Sequence, residues 1–474
     1  MQAPESRIPV NQQRATDLMM YGMPELNPPL AHPYQLPAGV RRLNLVVPTL
    51  APQASFTGLE NARRLFTNLL QRFDCGRILV TQEALESGAL EQWPEWKIGG
   101  EFAQRQIVFL GHQDEPGVPV AENDFFLAAS WHSVSFIRSL RLQQQALSGM
   151  KPKRFVYLIQ DYEPLFYPAS PQYCLAEASY AKPDEMIAVF DTRELADYFA
   201  RRGLEFPHQF VHEPMLHPTL DALRTERRDA HKERVIFLHV RPSLMRNGFR
   251  FLIEGIKRWA KTYPQAAQWS VVSAGGKHPI LHLTPEVVVR PLHRLTLEDY
   301  AALLSRAWVG VSLRFSAHPG QVAQEIAEFG AWSITNACES RQPAAIAPNM
   351  LALSELSPRA IATALATCCS RFQPGRTSVI DTEQRIFRPA GEEFEFIDAL
   401  ASEWRQDDRG DTDRRQSPSV VPTRDDASAS PAPTQTASDG AAATTGDNQW
   451  LSEDDFRDSA LGADSELLAL LGRC

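Results

Sequence analysis

The chain has 474 residues, 43% of them apolar, and a formal net charge of −9. That length exceeds one ordinary core and implies two domains plus extra segments, and the charge excludes the strongly basic balance of a nucleic-acid binder. No apolar run approaches the ~18 residues of a membrane span, and the six cysteines have spacings that suit neither zinc nor a disulfide framework, so a reducing cytoplasm is the expected compartment.

Residues 1–40 are rich in Pro and polar side chains and are expected to form an extended leader. Its start, MQAPESRIPVNQQ, lacks a basic region followed by an apolar one, so no secretory signal is expected. Regular patterning then predicts strands at Leu43–Val47, Arg77–Val80, Gln106–Leu110, Asp124–Ala128, Arg154–Ile159 and Met186–Phe190. Helical patterns fall at Leu59–Arg72, Ser133–Leu147 and Arg193–Arg202. Apolar strands alternating with amphipathic helices indicate a parallel sheet covered on both faces. This first domain is expected over 41–215, followed by a polar linker over 216–232.

A second alternating unit is expected over 233–404. Its predicted strands are Val235–Val240, Trp269–Ala274, Val287–Val289, Trp308–Leu313 and Ser333–Thr335. Its predicted helices are Gly248–Lys261, Leu297–Ser305, Gln321–Phe329 and Pro358–Cys369. Two such α/β domains facing each other would form a deep cleft, a common ligand site. Residues 405–449 carry almost no large apolar side chains and are expected to be disordered. Residues 450–474 regain leucines and read either as a short amphipathic helix that docks on a protein partner or as a weakly structured tail. Residues 407–474 hold 14 Asp/Glu and 6 Lys/Arg, a balance of −8, so the acidity belongs to the tail.

The stretch VSLRFSAHPGQVAQEIAEFGAWSITN, 311–336, concentrates the chemistry. It reads as a buried strand, a His-Pro-Gly turn and a helix carrying Glu325, then a second buried strand. Ligands of open α/β sheets bind outside the carboxyl ends of the strands, and a helix N-terminus there can hold an anion. Upstream, Arg241 and Arg246 follow a strand end and precede a helix. They read either as a diphosphate clamp, each guanidinium binding phosphate oxygens in a fork, or as solvated loop arginines. Gly275 and Gly276 either admit close approach of a ligand to backbone or simply make a turn. His318 likewise has a structural and a functional reading.

In this order the pieces resemble those of retaining GT-B glycosyltransferases of family 4, and most of all the WsaF-type rhamnosyltransferases of bacterial surface rhamnans. The resemblance covers about Arg41 to Trp404. It is carried most specifically by YLIQDYEPLFYPASPQYCLAEASY (Tyr157–Tyr180), and also by DFFLAASWHS (Asp124–Ser133) and LNLVVPTL (Leu43–Leu50). It implies a GT-B fold of two facing Rossmann-like domains. It implies that Arg241 and Arg246 hold a donor diphosphate, and that Glu325, the second glutamate of an E-x7-E motif, contacts the nucleotide ribose. Gly275 and Gly276 would lie along the nucleotide, and Thr57 and Gly58 would face the diphosphate. Two positions depart from the pattern. Ala317 stands where the first glutamate would fall, so His318 and the backbone N–H groups of the turn ending at Gly320 would bind the sugar instead. Gln160 stands where many relatives have His; it can hydrogen-bond a sugar but cannot act as a base.

The activity so implied is retaining, metal-independent transfer of a sugar, expected to be L-rhamnose from dTDP-L-rhamnose, to a glycan acceptor that is lipid-linked or part of a growing polysaccharide. No cofactor beyond the donor is expected. In the family the donor's own phosphate is thought to assist the acceptor hydroxyl. Asp161 and Glu163 read equally as acceptor-binding or as structural at the cleft. Arg63, Arg64, Arg72, Arg138, Arg141, Lys151, Lys153 and Arg154 form either a solvated face or a patch that contacts anionic lipid at the membrane surface. The rival reading is a non-catalytic member of the same fold that binds glycan or nucleotide. Ala317 and Gln160 favour it; the arginine pair and Glu325 oppose it.

Overall fold

The computed structural model describes residues 30–50, 57–81, 93, 95–99, 103–110, 117–149, 151–213, 215–292, 295–337, 343–353, 355–380, 385–388 and 394–404. The expected disordered segment 405–449 and the terminal helix 450–474 lie outside the described residues.

The first lobe runs β1 (Ala31–Pro33), β2 (Arg42–Val47), α1 (Thr57–Leu70), β3 (Cys75–Val80), β4 (Lys97–Ile98), β5 (Arg105–Phe109), β6 (Val118–Val120) and β7 (Asp124–Ala128). It continues through α2 (Trp131–Ser148), β8 (Phe155–Ile159), α3 (Pro171–Ala178), β9 (Met186–Phe190), α4 (Arg193–Arg201) and β10 (Gln209–Val211). Among the described residues its main sheet has the order β10-β9-β8-β7-β2-β3-β5-β4, and all the pairings are parallel. The six central strands therefore follow the doubly wound 3-2-1-4-5-6 order, which reverses between β2 and β7.

The second lobe repeats the plan. It comprises α5 (Pro218–Glu226), β11 (Glu233–His239), α6 (Phe249–Thr262), β12 (Ser270–Ala274), β13 (Leu281–His282), β14 (Val288–Pro291) and α7 (Leu297–Arg306). Then come β15 (Ala307–Val311), α8 (Gln321–Glu328), β16 (Trp332–Asn336), α9 (Pro343–Ile346), β17 (Met350–Leu353) and α10 (Pro358–Ser370). Its sheet order is β13-β14-β12-β11-β15-β16-β17, parallel except for the β13–β14 edge. The reversal falls between β11 and β15. Two Rossmann-like lobes of this kind make the GT-B fold.

Both sheets are buried on both faces, which is why their strands are continuous apolar runs. In β2, Val46 points into one apolar cluster while Leu43, Leu45 and Val47 point into the other. In β11, Ile236 and Leu238 face one core while Val235 and Phe237 face the other. Side-chain caps begin several helices: Thr192 accepts from the N–H of Leu195 at α4, and Ser357 from that of Ala360 at α10.

Three segments differ from the sequence-based expectation. Within the expected leader, Ala31–Pro33 pairs in parallel with β6, and Leu36 is buried. The expected polar linker forms α5 instead, because Leu216, Leu220 and Leu223 recur at helical spacing and pack into the second lobe's core. Residues 394–404, expected to end the second domain, cross back to the first. There Phe394, Ile397, Leu400 and Trp404 fill one of its two apolar clusters. The Trp404 indole meets Phe73 and Phe125 edge-on and donates to the Arg154 carbonyl at 2.9 Å.

Candidate functional site

The carboxyl ends of both sheets open onto one cavity of about 270 Å³. The second lobe's wall starts where β11 ends. There the chain turns through Arg241 into a short 3₁₀ turn, Met245–Asn247, that presents Arg246. The turn is tied to the next strand end: the Phe315 N–H donates to the Arg246 carbonyl at 2.7 Å, and the Asn247 amide to that of Leu313 at 3.4 Å. Just beyond β15 stands Arg314, whose N–H donates to Asn336 Oδ1 at 2.8 Å and whose Nε donates to Ser316 Oγ at 2.7 Å. Gly320, at φ +87°, turns the chain into α8, so that Gln321 and Val322 also line the cavity. A side chain there would be strained by that left-handed φ.

Three guanidiniums thus share one wall. Burial lowers the pKa of both Arg241 and Arg246, helped at Arg241 by the charges of Arg246 and Arg314 and at Arg246 by that of Arg314. Arg246 also lies with its Cζ 4.0 Å from the centre of the Phe166 ring. Burial, followed by Arg241 and Arg314, pushes His239 down to about 3. This wall is arranged to attract an anion.

The first lobe's wall is acidic. Residues after β8 contribute Gln160, Asp161 and Glu163, the end of β9 contributes Asp191, and α1 contributes Gly58 and Asn61. An aromatic stack holds this loop. Tyr180 stacks on Tyr157 at 5.8 Å and on Tyr162 at 5.6 Å, while its hydroxyl donates to the Asp161 carbonyl and accepts from the Glu163 N–H. Gly58 packs closely on this loop, since a Cβ there would sit 3.0 Å from Gln160 Oε1 and press on the end of that side chain.

Asp161 joins the walls. Its Oδ2 accepts from Arg314 at 2.7 Å, and its Oδ1 accepts from the N–H groups of His318 and Tyr162. Burial opposes its charge, but Arg314, and then His318 and the Ser316 hydrogen bond, hold the carboxyl below the usual carboxylate range. His318 is buried with its Nδ1 accepting from the Gly320 N–H and its Nε2 3.4 Å from Asp191. Asp191 in turn accepts from the Asn61 amide. Glu163 is held at Oε2 by the Trp131 N–H at 2.6 Å and the Tyr157 hydroxyl at 2.9 Å. Burial pushes it up to about 7 against those two hydrogen bonds.

Arg241, Arg246, His318, Gly320, Gly58, Gln160, Asp161 and Glu163 therefore converge on one cavity. Other predicted residues do not. Glu325 lies further along α8 and is buried, its Oε2 accepting from Tyr300 at 2.8 Å, and burial pushes it up to about 7 against that bond. Gly275 and Gly276 pack against the loop after β11: a Cβ on either would lie 2.7 Å from Val240 O or Pro242 Cδ respectively. Their smallness lets two backbone segments meet. Thr57 begins α1, and its side chain lies outside the described residues. Ala317 is buried in the first lobe's apolar cluster, a place that would penalise a carboxylate.

Arg314, Asp191, Asn61 and His239 are site residues that the motif reading passed over. Arg314 and Asp191 each stand one to three residues beyond a parallel strand, which is the signal that could have found them. Of the basic cluster expected on the first lobe, Arg63 pairs with Glu60, Arg72 with Asp398, Arg138 with Glu185 and Arg154 with Glu403. No helix among the described residues is long and apolar enough to cross a membrane.

Family models for the N-terminal and C-terminal domains of WsaF match residues 42–193 and 234–366. The O-antigen biosynthesis protein RfbC of Myxococcus xanthus is 28% identical over 213 residues, which are 45% of this chain and 15% of RfbC. The chain thus spans well under a fifth of that curated relative. Among solved structures, Anabaena HepE in complex with UDP covers 80% of this chain and all of its own, at 12% identity and a TM-score of 0.46. WaaG, a glycosyltransferase of lipopolysaccharide biosynthesis, covers 79% of this chain and 96% of its own, at 12% identity and a TM-score of 0.45.

Proposed function

Because the chain belongs to the WsaF family, we propose that it is a glycosyltransferase that takes a sugar from a nucleotide diphosphate donor and builds a bacterial surface polysaccharide. One observation carries this reading: a wall of three arginines and a helix start faces a wall of carboxylates and amides across one cavity at the carboxyl ends of both sheets. Arg241 and Arg246 bind the diphosphate in forked hydrogen bonds. As the bond from the anomeric carbon to the diphosphate oxygen breaks, negative charge grows on that oxygen. Guanidiniums already fixed in place stabilise it without reorganising. The acidic wall receives the hydroxyls of the transferred sugar and of the acceptor, with Gln160 and His318 as further hydrogen-bond partners.

The finer reading is retention of anomeric configuration, without a metal, with L-rhamnose from dTDP-L-rhamnose as the transferred sugar. It is supported by the resemblance of Tyr157–Tyr180 to the rhamnosyltransferase signature and by the guanidiniums available to offset charge. Cys75, Cys174, Cys368 and Cys369 are free, which suits reaction in the cytoplasm. The acceptor is a glycan, either part of a growing polysaccharide or lipid-linked, and the second alternative would bring the chain to the inner face of the membrane. Binding to anionic liposomes in flotation at low salt checks that location.

The test is a thermal-shift screen of the full chain against nucleoside diphosphates and nucleotide sugars. A ligand at 100 times its Kd stabilises the native state by about 2.7 kcal/mol. A shift with dTDP and dTDP-L-rhamnose, together with sugar transfer, is expected. No shift with any nucleotide, and no transfer, would refute the reading.

A further inference from the structure

Three carboxylates line the cavity, and they are not equivalent. Both oxygens of Asp161 are engaged, Oδ2 by Arg314 and Oδ1 by two backbone N–H groups. Asp191 accepts from Asn61 through both oxygens and faces the His318 ring. Glu163 differs. Its two hydrogen bonds both fall on Oε2, and among the described residues Oε1 has no partner. Those two bonds fix the carboxyl, one from the start of α2 and one from a tyrosine in the first lobe's core. Gln160, the neighbour that could otherwise serve, has no proton-accepting chemistry near neutral pH.

Glu163 also stands on a telling side. It begins the 3₁₀ turn Glu163–Phe166, and Phe166 carries the Arg246 guanidinium on its ring. A base there lies beside the cation assigned to the departing diphosphate. That is the face from which a hydroxyl must attack if the configuration is to be retained.

We propose that Glu163 is the catalytic residue that binds the attacking acceptor hydroxyl and takes its proton, in place of the donor's phosphate. This rests on the glycosyltransferase reading above. The acceptor oxygen forms its bond to the anomeric carbon as the bond to the diphosphate oxygen breaks. The electron pair of the broken bond leaves with the nucleoside diphosphate, held by Arg241 and Arg246. The hydroxyl proton passes to Glu163 Oε1, and the carboxyl returns it to water before the next turnover. The carboxyl is suited to this, since burial holds it at about 7, where a base works best near neutral pH. The groups that face it are Tyr157 and Tyr180, both pushed well above their ordinary range by burial and so neutral, together with Asp161 and Arg246.

The experiment uses the full chain, dTDP-L-rhamnose as donor and octyl α-L-rhamnopyranoside as acceptor. Rates across pH are measured for the wild type, Glu163→Gln and Glu163→Asp, beside the thermal shift given by dTDP alone. Gln keeps an acceptor for Trp131 and Tyr157, so the fold and the dTDP shift are expected to persist. Its transfer rate is expected to fall by about 10²-fold or more, with loss of the acid limb that the wild type shows. Asp is expected to restore part of the rate and the limb. A Gln variant within about threefold of wild type, with the same acid limb, would overturn the proposal and return the proton to the phosphate. A wild type that neither shifts with dTDP nor transfers would instead overturn the glycosyltransferase reading, and Glu163's role with it.

Discussion

The two walls of the cavity are built by the same fold from opposite chemistry. Each is the carboxyl edge of a doubly wound sheet, yet one presents Arg241, Arg246 and Arg314 while the other presents Asp161, Glu163 and Asp191. The fold therefore sets where a ligand sits, and the residues just past the strands decide which part of it faces which lobe. The cationic wall suits the leaving diphosphate. The acidic wall suits hydroxyls, which it can bind without carrying the charge that leaves.

The comparison breaks most sharply at the cationic wall. Arg246→Ala is expected to lower transfer by about 10²–10³-fold while leaving the far-ultraviolet circular dichroism and melting transition near wild type. Normal turnover in that variant would mean that the arginines are solvated loop residues.

Glu325 sharpens it, because it is a buried acid in the lobe that carries the basic wall. Its folded pKa of about 7 lies above the ordinary 4.5, so the buried carboxylate costs stability progressively as pH rises from 4.5 to 7 and fully above that. Glu325→Gln is expected to stabilise the ligand-free chain at pH 8 by at most ~3 kcal/mol and to have little effect at pH 4.5. The stability difference between variant and wild type, measured by urea unfolding across pH, checks this. If Glu325 also contacts the ribose, the same variant will bind dTDP more weakly.

An effect of comparable size and opposite sign lies where the walls join. Asp161→Asn removes the charge that Arg314 binds at 2.7 Å and is expected to cost about 1–3 kcal/mol near neutral pH. The folded Asp161 carboxyl lies below its ordinary range, so this contribution is present above that range and lost as pH falls through the folded value. The wild type and Asp161→Asn should therefore converge in acid.

Most of the fold was legible, because two-face burial forces apolar strands and the helices between them show a 3.6-residue period. Asp124–Ala128 and Met186–Phe190 were read to the residue. Short edge pieces such as β1 and β4 were not, since two or three residues carry no period. Helix α5 was hidden by its charged surface, and 394–404 was assigned to the wrong lobe because packing partners are not written in local pattern. At the site, Arg241, Arg246 and the Gln160–Glu163 run were legible as motifs. Arg314 was not, because its meaning depends on Asp161, which is 153 residues away in sequence. Gly275 and Gly276 showed the limit of composition: their smallness serves a backbone contact with Val240 and Pro242.

The division between the walls is tested most directly by calorimetric titration of dTDP into the wild type and into an Arg241→Ala/Arg246→Ala double variant, at low and moderate salt. Binding to the wild type that weakens with salt and falls by about 100-fold or more in the double variant is the expected result. Equal affinity in both proteins would contradict the assignment of the diphosphate to the second lobe's arginines.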